Sequence, residues 1–389
     1  MKAPVSWNER AATLLHAALA SAQRAHRAPL ARDVARLHGL FTHERSDRAA
    51  GYLREPALRR AYLGYFAPLN AVKVARLLVA LQEERALALP DAPSVLDLGA
   101  GPLSGIAGAW IALGRLGPSV AVDLAEKAMA DGRRLLEEAG ALSDIASLEL
   151  RTRSVTQSWA APRDRADLVV LANVLNEIGD PRRDLDKRVR VVESALERLS
   201  EGGRVLIVEP GTRVHGRALQ ALRDRLVASE RASVLAPCFG AARCPLLERS
   251  SDWCHHELPW DPPEELAALE RAAGLEKTTL KLSYLVLAPP GQVAAEGMRL
   301  VGGTMRAGAP ADVTERRYAC GRGGLVVLRG RKGRLPAAVS RPLRGARLDE
   351  VPEGAVVEEG RGEAQPSRPR GPGSTPRSRS RRGRGSGAR

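Results

Sequence analysis

Residues 94–105 read Ser-Val-Leu-Asp-Leu-Gly-Ala-Gly-Pro-Leu-Ser-Gly. An apolar run ends in closely spaced glycines and is followed by helix-compatible residues, which is the reading of a strand that turns tightly into a helix. Further apolar runs follow at Ser119–Val122, Leu148–Leu150, Leu168–Leu171 and Val205–Val208. Helical stretches separate them, most plainly at 183–200, where Leu185, Val189, Val192, Leu196 and Leu199 share one face and Gly202-Gly203 is expected to stop the helix. Strands alternating with helices require crossovers, and right-handed crossovers build a parallel, doubly wound α/β sheet. The alternation lapses through 212–261. It resumes with a helix opening at Pro262-Pro263-Glu264-Glu265, a strand at Leu280–Leu287, and β-like runs at Arg317–Cys320 and Gly324–Leu328.

Upstream of the first strand the pattern is helical, with Leu14, Leu15, Ala18 and Leu19, then Val34, Leu37 and Leu40, then Val74, Leu77, Leu78 and Leu81. The expected organisation is a helical N-terminal domain over 1–90, an α/β domain over 91–335 carrying an insertion at about 212–261, a linker or short β extension over 336–360, and a tail over 361–389. Basic residues of the first part, Arg54, Arg59, Arg60, Lys73 and Arg76, are a candidate nucleic-acid face, although a solvated helix face is the commoner cause of such charge.

The net charge is +15, and the tail from Arg361 holds nine Arg against one acid, Glu363, so it supplies +8 and leaves +7 for the rest. The tail is almost wholly Arg, Gly, Ser and Pro without a large apolar residue, so it has nothing to bury and is expected to be disordered. Such a segment attracts phosphate backbones without sequence preference and releases them as salt rises. Aromatic residues are 3% of the chain, which argues against a base-stacking platform and for phosphate and shape contacts. The first residues lack the charged, apolar and cleavage order of a secretory signal, and their apolar run is interrupted and short for a membrane span. An intracellular monomer without a membrane partner is expected, cytoplasmic in a bacterium and mitochondrial in a eukaryote.

Dinucleotide and adenosylmethionine sites share one device, a strand ending in a glycine turn so that backbone approaches the ligand at the first crevice of the sheet. Asp97, Gly99 and Gly101 fill Asp-x-Gly-x-Gly, with Ala100 between the glycines. Leu103 stands where adenosylmethionine enzymes often have a third glycine, and Ser104 replaces the last glycine of the dinucleotide fingerprint. Asp123, about twenty residues on, is positioned to accept two ribose hydroxyls of either cofactor. The run Leu-Ala-Asn-Val-Leu-Asn-Glu at 171–177 ends the fourth strand. Asn173 is a candidate cofactor contact there, and Asn176 or Glu177 a candidate substrate contact, with helix capping the alternative for either asparagine. No catalytic residue is assigned.

All four cysteines are Cys238, Cys244, Cys254 and Cys320, the first three within seventeen positions. Thiols gathered in a chain without a secretory signal suggest a metal centre rather than disulfides. The spacing is a poor match to paired C-x2-C zinc knuckles, whereas a 4Fe-4S cluster also takes four thiolates, and Pro245 after Cys244 suits a rigid ligand loop. A cluster is therefore favoured over zinc. His255 and His256 are candidate ligands of a mixed zinc site, or else groups beside the centre or facing RNA.

Leu-Asp-Leu-Gly-Ala-Gly-Pro, Ala-Asn-Val-Leu-Asn-Glu, Val-Glu-Pro-Gly-Thr, Cys-Pro, Asp-Trp-Cys-His and a late cysteine before glycine, in that order, resemble the methyltransferase-like small ribosomal subunit assembly family over roughly residues 50–330. The resemblance implies a class I methyltransferase fold with a C-terminal β extension and adenosylmethionine as cofactor. It also implies a 4Fe-4S cluster held by Cys238, Cys244, Cys254 and Cys320, and association with the small ribosomal subunit and its rRNA. The expected function is methyl transfer on that rRNA or, alternatively, non-catalytic assembly of the subunit by a protein that keeps fold and cluster.

Overall fold

Val95, Leu96 and Leu98 are all buried because their strand, β1 (Val95–Leu98), lies between two parallel neighbours under helices on both sides. The computed structural model describes residues 5–25, 30–42, 55–157, 165–275, 277–308, 313–331 and 333–359. The tail expected to be disordered lies outside them. Ahead of β1 come α1 (Trp7–Ala25), α2 (Leu30–Thr42) and α3 (Pro56–Ala61), then a π-helical turn, Tyr62–Phe66, that runs into α4 (Ala67–Glu83). After β1 follow α5 (Ser104–Leu113), β2 (Leu116–Asp123), α6 (Glu126–Glu138), β3 (Ile145–Thr152), β4 (Ala166–Ala172), α7 (Leu185–Leu196), β5 (Leu199–Pro210), α8 (Arg213–Ala228), β6 (Ser233–Ala236), β7 (His256–Pro259), α9 (Glu264–Ala272) and β8 (Thr279–Ala288).

These strands form one sheet in the order β3-β2-β1-β4-β5-β8-β6, with β7 paired on β8. The first five are parallel, and β8 runs antiparallel to β5, β6 and β7. An antiparallel strand slotted beside the fifth is the class I methyltransferase arrangement expected from the sequence. The chain order reverses between β1 and β4, and in an open α/β sheet the crevice at such a switch point is where ligands bind.

Gly202 and Gly203 do not stop a helix. α7 ends at Leu196, and both glycines lie inside β5, where Gly203 is buried and a Cβ would meet the Ala166 carbonyl at 2.8 Å. The segment at 212–261 also opens with a full helix, α8, where the sequence pattern lapses.

The N-terminal helices share an apolar core with the sheet: Leu14, Val34, Leu78, Ile106, Leu168 and Val286 belong to one buried cluster. The stretch Pro56–Glu83 is, among the described residues, long and apolar enough to cross a membrane by length and composition, and most of its apolar window is buried in this core. On the opposite face α7 and α8 cover Leu96, Val169 and Ile207.

A second, antiparallel sheet follows, from β9 (Met298–Leu300), β10 (Met305–Ala307), β11 (Thr314–Gly321), β12 (Gly324–Gly330), β13 (Arg347–Leu348) and β14 (Ala355–Glu359), in the order β13-β9-β11-β12-β14 with β10 on β11. Its buried Arg317 donates to the carbonyls of Gly302 (2.8 Å), Val339 (2.6 Å) and Pro342 (2.8 Å). Part of the segment expected as a linker or β extension therefore contributes β13 and β14.

Candidate cofactor cleft and cysteine cluster

A cleft of about 1040 Å³ opens at the carboxyl ends of β1, β2 and β4, large enough for a nucleoside-sized ligand and part of a second molecule. Its floor is Asp97, fully buried, whose Oδ2 accepts the Ile106 amide at 3.1 Å while Oδ1 has no partner. A Cβ at Gly105 would lie 2.6 Å from this carboxylate, so only glycine lets the first turn of α5 seat on it. Burial, with the charge of Asp123 adding to it, raises the Asp97 pKa to about 7.

The loop after β1 is fixed by its own backbone and by Asp123. Gly99 and Ala100 amides bond to the Val122 carbonyl (2.8 and 3.2 Å). The Gly101 amide donates to Asp123 Oδ2 at 2.8 Å, and the Ala125 amide to Oδ1 at 2.7 Å. Each Asp123 oxygen keeps a lone pair for ligand hydroxyls. At Gly99 the φ is +71° and a Cβ would meet Val174 Cγ2 at 2.2 Å, so its glycine is required twice over. Leu103 adopts φ +62°, in the left-handed region that favours glycine, and buries its side chain completely.

Beyond β4, Asn173 lines the cleft at φ +58° with its amide on the Val208 carbonyl (2.7 Å). Asn176 and Glu177 part company. The Asn176 amide nitrogen points inward to Glu209 Oε2 (3.2 Å) and the Asn173 carbonyl (2.7 Å), whereas Glu177 opens into the cleft. Glu177 is open to solvent there yet lies within the cleft walls, and desolvation, helped by Asp123, raises its pKa to about 7. Buried Glu209, bonded by the Leu175 amide (2.9 Å), is raised by burial to about 8. Cationic side chains at the cleft, Lys127, Arg153 and Arg190, stand on its exposed rim beside Leu124, which is 70% exposed.

The residue that sequence reasoning missed is Arg188. Its buried guanidinium donates to the carbonyls of Leu175 (2.9 Å), Ile178 (2.9 Å) and Pro181 (3.1 Å), which fixes the loop that presents Glu177.

Cys238, Cys244 and Cys254 lie in the segment between β6 and α9, and Cys320 lies on β11. All four are free thiols. They are close enough that each thiolate would oppose the ionisation of others: Cys254 is raised well above its ordinary value by burial and then by Cys238, Cys244 and Cys320. Burial and neighbouring thiols push Cys244 and Cys320 up to about 12. α8 holds the segment. Arg217 donates to the carbonyls of Arg249 (2.6 Å) and Asp252 (2.7 Å), and Asp224 accepts the Cys244 amide on both oxygens (3.0 Å). Arg223 faces Cys238 and favours its thiolate, although burial still raises that thiol. Among the described residues, no three His, Cys, Asp or Glu side chains are grouped so as to hold a metal ion. The four-cysteine centre expected from the sequence is thus represented by convergence of thiols alone. His255 and His256 are 3% and 4% exposed, so neither faces RNA; His255 stacks on Trp253, and His256 Nε2 stands 3.8 Å from Cys254 Sγ.

No curated protein sequence matches the chain. Among solved structures it is similar to a ribosomal protein L11 methylase from Lactobacillus delbrueckii subsp. bulgaricus (16% identity, TM-score 0.31, covering 56% of this chain and 79% of that one). It is likewise similar to an rRNA methylase from Streptococcus thermophilus (14%, 0.31, 55% and 96%) and to TrmN from Thermus thermophilus (18%, 0.33, 57% and 48%). The family model described as mitochondrial small ribosomal subunit Rsm22 matches residues 59–301. That match runs from α3 to just past β9 across more than half of the chain, and the protein belongs to the Rsm22 family.

Proposed function

We propose that this protein binds S-adenosylmethionine in the β1–β4 cleft and acts on, or assembles, the small ribosomal subunit at its rRNA. The observation that carries the cofactor is the acidic floor: unpartnered Asp97 Oδ1, half-satisfied Asp123 and open Glu177 surround the space above the glycine loop. A cationic ligand relieves their mutual repulsion, whereas a pyrophosphate placed there would add to it. Asp97 would receive the ammonium, Asp123 the ribose hydroxyls, and the backbone of Gly99, Ala100 and Gly101, with Asn173, would close around the ligand. Bound there, adenosylmethionine supplies an electrophilic methyl group. The chain's own work is positioning, with Glu177 able to take up a proton at its carboxylate near neutral pH. Titration calorimetry tests this: adenosylmethionine is expected to bind and NAD not to, and Asp123→Ala to weaken binding at least tenfold. Unchanged affinity in that variant removes the assignment.

Cys238, Cys244, Cys254 and Cys320 would hold a 4Fe-4S cluster. A single zinc ion needs its sulfurs all about 2.3 Å from one point. A cluster offers a separate iron to each of four thiolates and tolerates irregular spacing, so ligand type and spacing favour it. Anaerobically prepared protein is expected to be coloured and to contain iron that Cys254→Ser loses; colourless, iron-free protein ends the proposal. A second reading, non-catalytic assembly, is favoured by the inward turn of Asn176, which removes from the cleft one of the two side chains expected to face a methyl acceptor. Methyl mapping of small-subunit rRNA with and without the gene separates the two. The family description supports a mitochondrial setting.

A further inference from the structure

The basic residues of the N-terminal helices are mostly spent within the fold. Arg59 pairs with Asp131 (3.0 Å), Arg60 with Asp33 (2.7 Å), and Arg76 bonds the Pro259 carbonyl and lies over the Trp7 ring. Lys73, on α4, differs. It is half-buried, its Nζ contacts the Asn70 amide oxygen at 3.4 Å, and the charge that acts on it is another ammonium, that of Lys277. Lys277 Nζ donates to the Tyr65 hydroxyl at 2.6 Å and lies over the Tyr65 and Phe66 rings at 4.5 and 5.7 Å. The carboxylate nearby, Glu270, accepts on Oε1 from Tyr65 (2.6 Å) and Trp260 (3.2 Å), so the Tyr65 hydroxyl stands between it and Lys277. Desolvation lowers both lysines to about 8, with each other's charge adding to it for Lys73 and Glu270 opposing it for Lys277.

Asn70 links this pair to the cleft. Its Nδ2 donates to the Tyr62 hydroxyl at 3.3 Å, and Tyr62 lines the cofactor cleft. The rings of Tyr62, Phe66 and Phe41 pack on one another, Tyr62 stacked on Phe66 and Phe41 edge-on to both, so they are not spread as a platform for bases. Two ammonium groups with unused donors, neither bonded directly to a carboxylate and only Lys277 within the field of one, Glu270 across the Tyr65 hydroxyl, match a tetrahedral oxyanion.

We propose that Lys73, Lys277 and Asn70 form a subsite for a backbone phosphate of RNA, just outside the cofactor cleft. The RNA part rests on the function proposed above. Because the lysines repel one another in the free protein, the subsite costs stability until its anion arrives.

The test uses the full chain, a short single-stranded segment of small-subunit rRNA, and fluorescence anisotropy across a salt series. Lys73→Gln and Lys277→Gln are each expected to weaken binding about fivefold and to flatten the slope of log K against log salt by about 0.7, with Lys73→Arg retaining wild-type behaviour. Adenosylmethionine affinity is expected to stay constant, and the Tm of Lys73→Gln without RNA to rise, which a structural lysine would not show. Identical affinity and slope in the double variant overturn the proposal. Should the wild type bind adenosylmethionine but no RNA, the RNA reading falls by itself. Acetic anhydride labelling of Lys73 at neutral pH then decides the subsite: protection by pyrophosphate upholds an anion site for a free phosphate, and equal labelling overturns it.

Discussion

Asp97 is the residue on which cleft chemistry and stability meet. Its carboxyl group titrates near 7 in the fold against an ordinary 3.8, so the folded protein holds that proton more tightly than the unfolded chain. Its stabilising effect is complete below the ordinary value and is lost as pH rises through about 7, and Glu177 and Glu209 act in the same direction. Asp97→Asn keeps an oxygen for the Ile106 amide but carries no charge. It is expected to raise the stability of the ligand-free protein at pH 8 by roughly 4 kcal/mol, to flatten its pH dependence, and to weaken adenosylmethionine binding at least tenfold. Thermal melts at pH 5 and 8 with calorimetry check this, and a pH profile unchanged by the substitution refutes it. Leu103 poses a different balance. A left-handed leucine costs about 1–2 kcal/mol, whereas a fully buried leucine contributes about 2–5 kcal/mol to a core. Leu103→Gly is therefore expected to lower the denaturant midpoint while leaving cofactor affinity unchanged, because the backbone already follows the path a glycine would take. At this scale the spacing from a strand end pointed to Asp97, Gly99 and Asp123, which the fold brings to one cleft. It did not identify Arg188, because that guanidinium binds main-chain carbonyls, which no sequence pattern marks.

Two elements owe their position to arginine. The turn after β4 is held by Arg188 from α7, and the cysteine segment by Arg217 and Arg223 from α8. Replacing Arg188 with Lys keeps the charge but loses the planar fork that serves four carbonyls at once. Each buried carbonyl left unpaired costs about 1–3 kcal/mol, so the variant is expected to exchange amide hydrogens faster over 175–181 and to bind cofactor more weakly. Protection unchanged over that turn sinks the role. The same arginines explain why α8 escaped the sequence reading. Leu219, Leu222 and Leu226 provide an apolar stripe, but Arg223, buried at 2% exposure beside them, breaks the periodic pattern by which a helix is recognised. Gly202-Gly203 misled for the opposite reason: glycine after a helical pattern reads as a stop, while the sheet requires Gly203 to fit against Ala166.

Across the whole molecule, β1, β4 and β5 were legible because each carries a run of buried apolar residues, and β11 and β12 of the second sheet were legible as β-like runs, whereas β9, β10 and β13 were not, because two or three residues each are too few to show a pattern. β9 bonds both β11 and β13, and the expected linker supplies the latter. One tie between the second sheet and the rest of the protein is Arg299 of β9, 4% exposed, which makes a two-pronged ion pair with Glu84 at the end of α4 (2.7 and 2.8 Å). Arg347 adds a bond to the Glu84 carbonyl at 2.8 Å. Arg299 is also the cross-strand partner of Cys320, so the joint between the N-terminal helices and the second sheet lies directly opposite that cysteine. Removing one member of a buried pair strands the other charge, at a cost of about 3–5 kcal/mol. Glu84→Gln is accordingly expected to raise amide exchange in β9 and β11 well above that in β1 and β4, and, if the thiols carry iron, to lower the iron retained on purification. Loss of protection spread evenly over both sheets would show instead that the ion pair does no more than add to global stability.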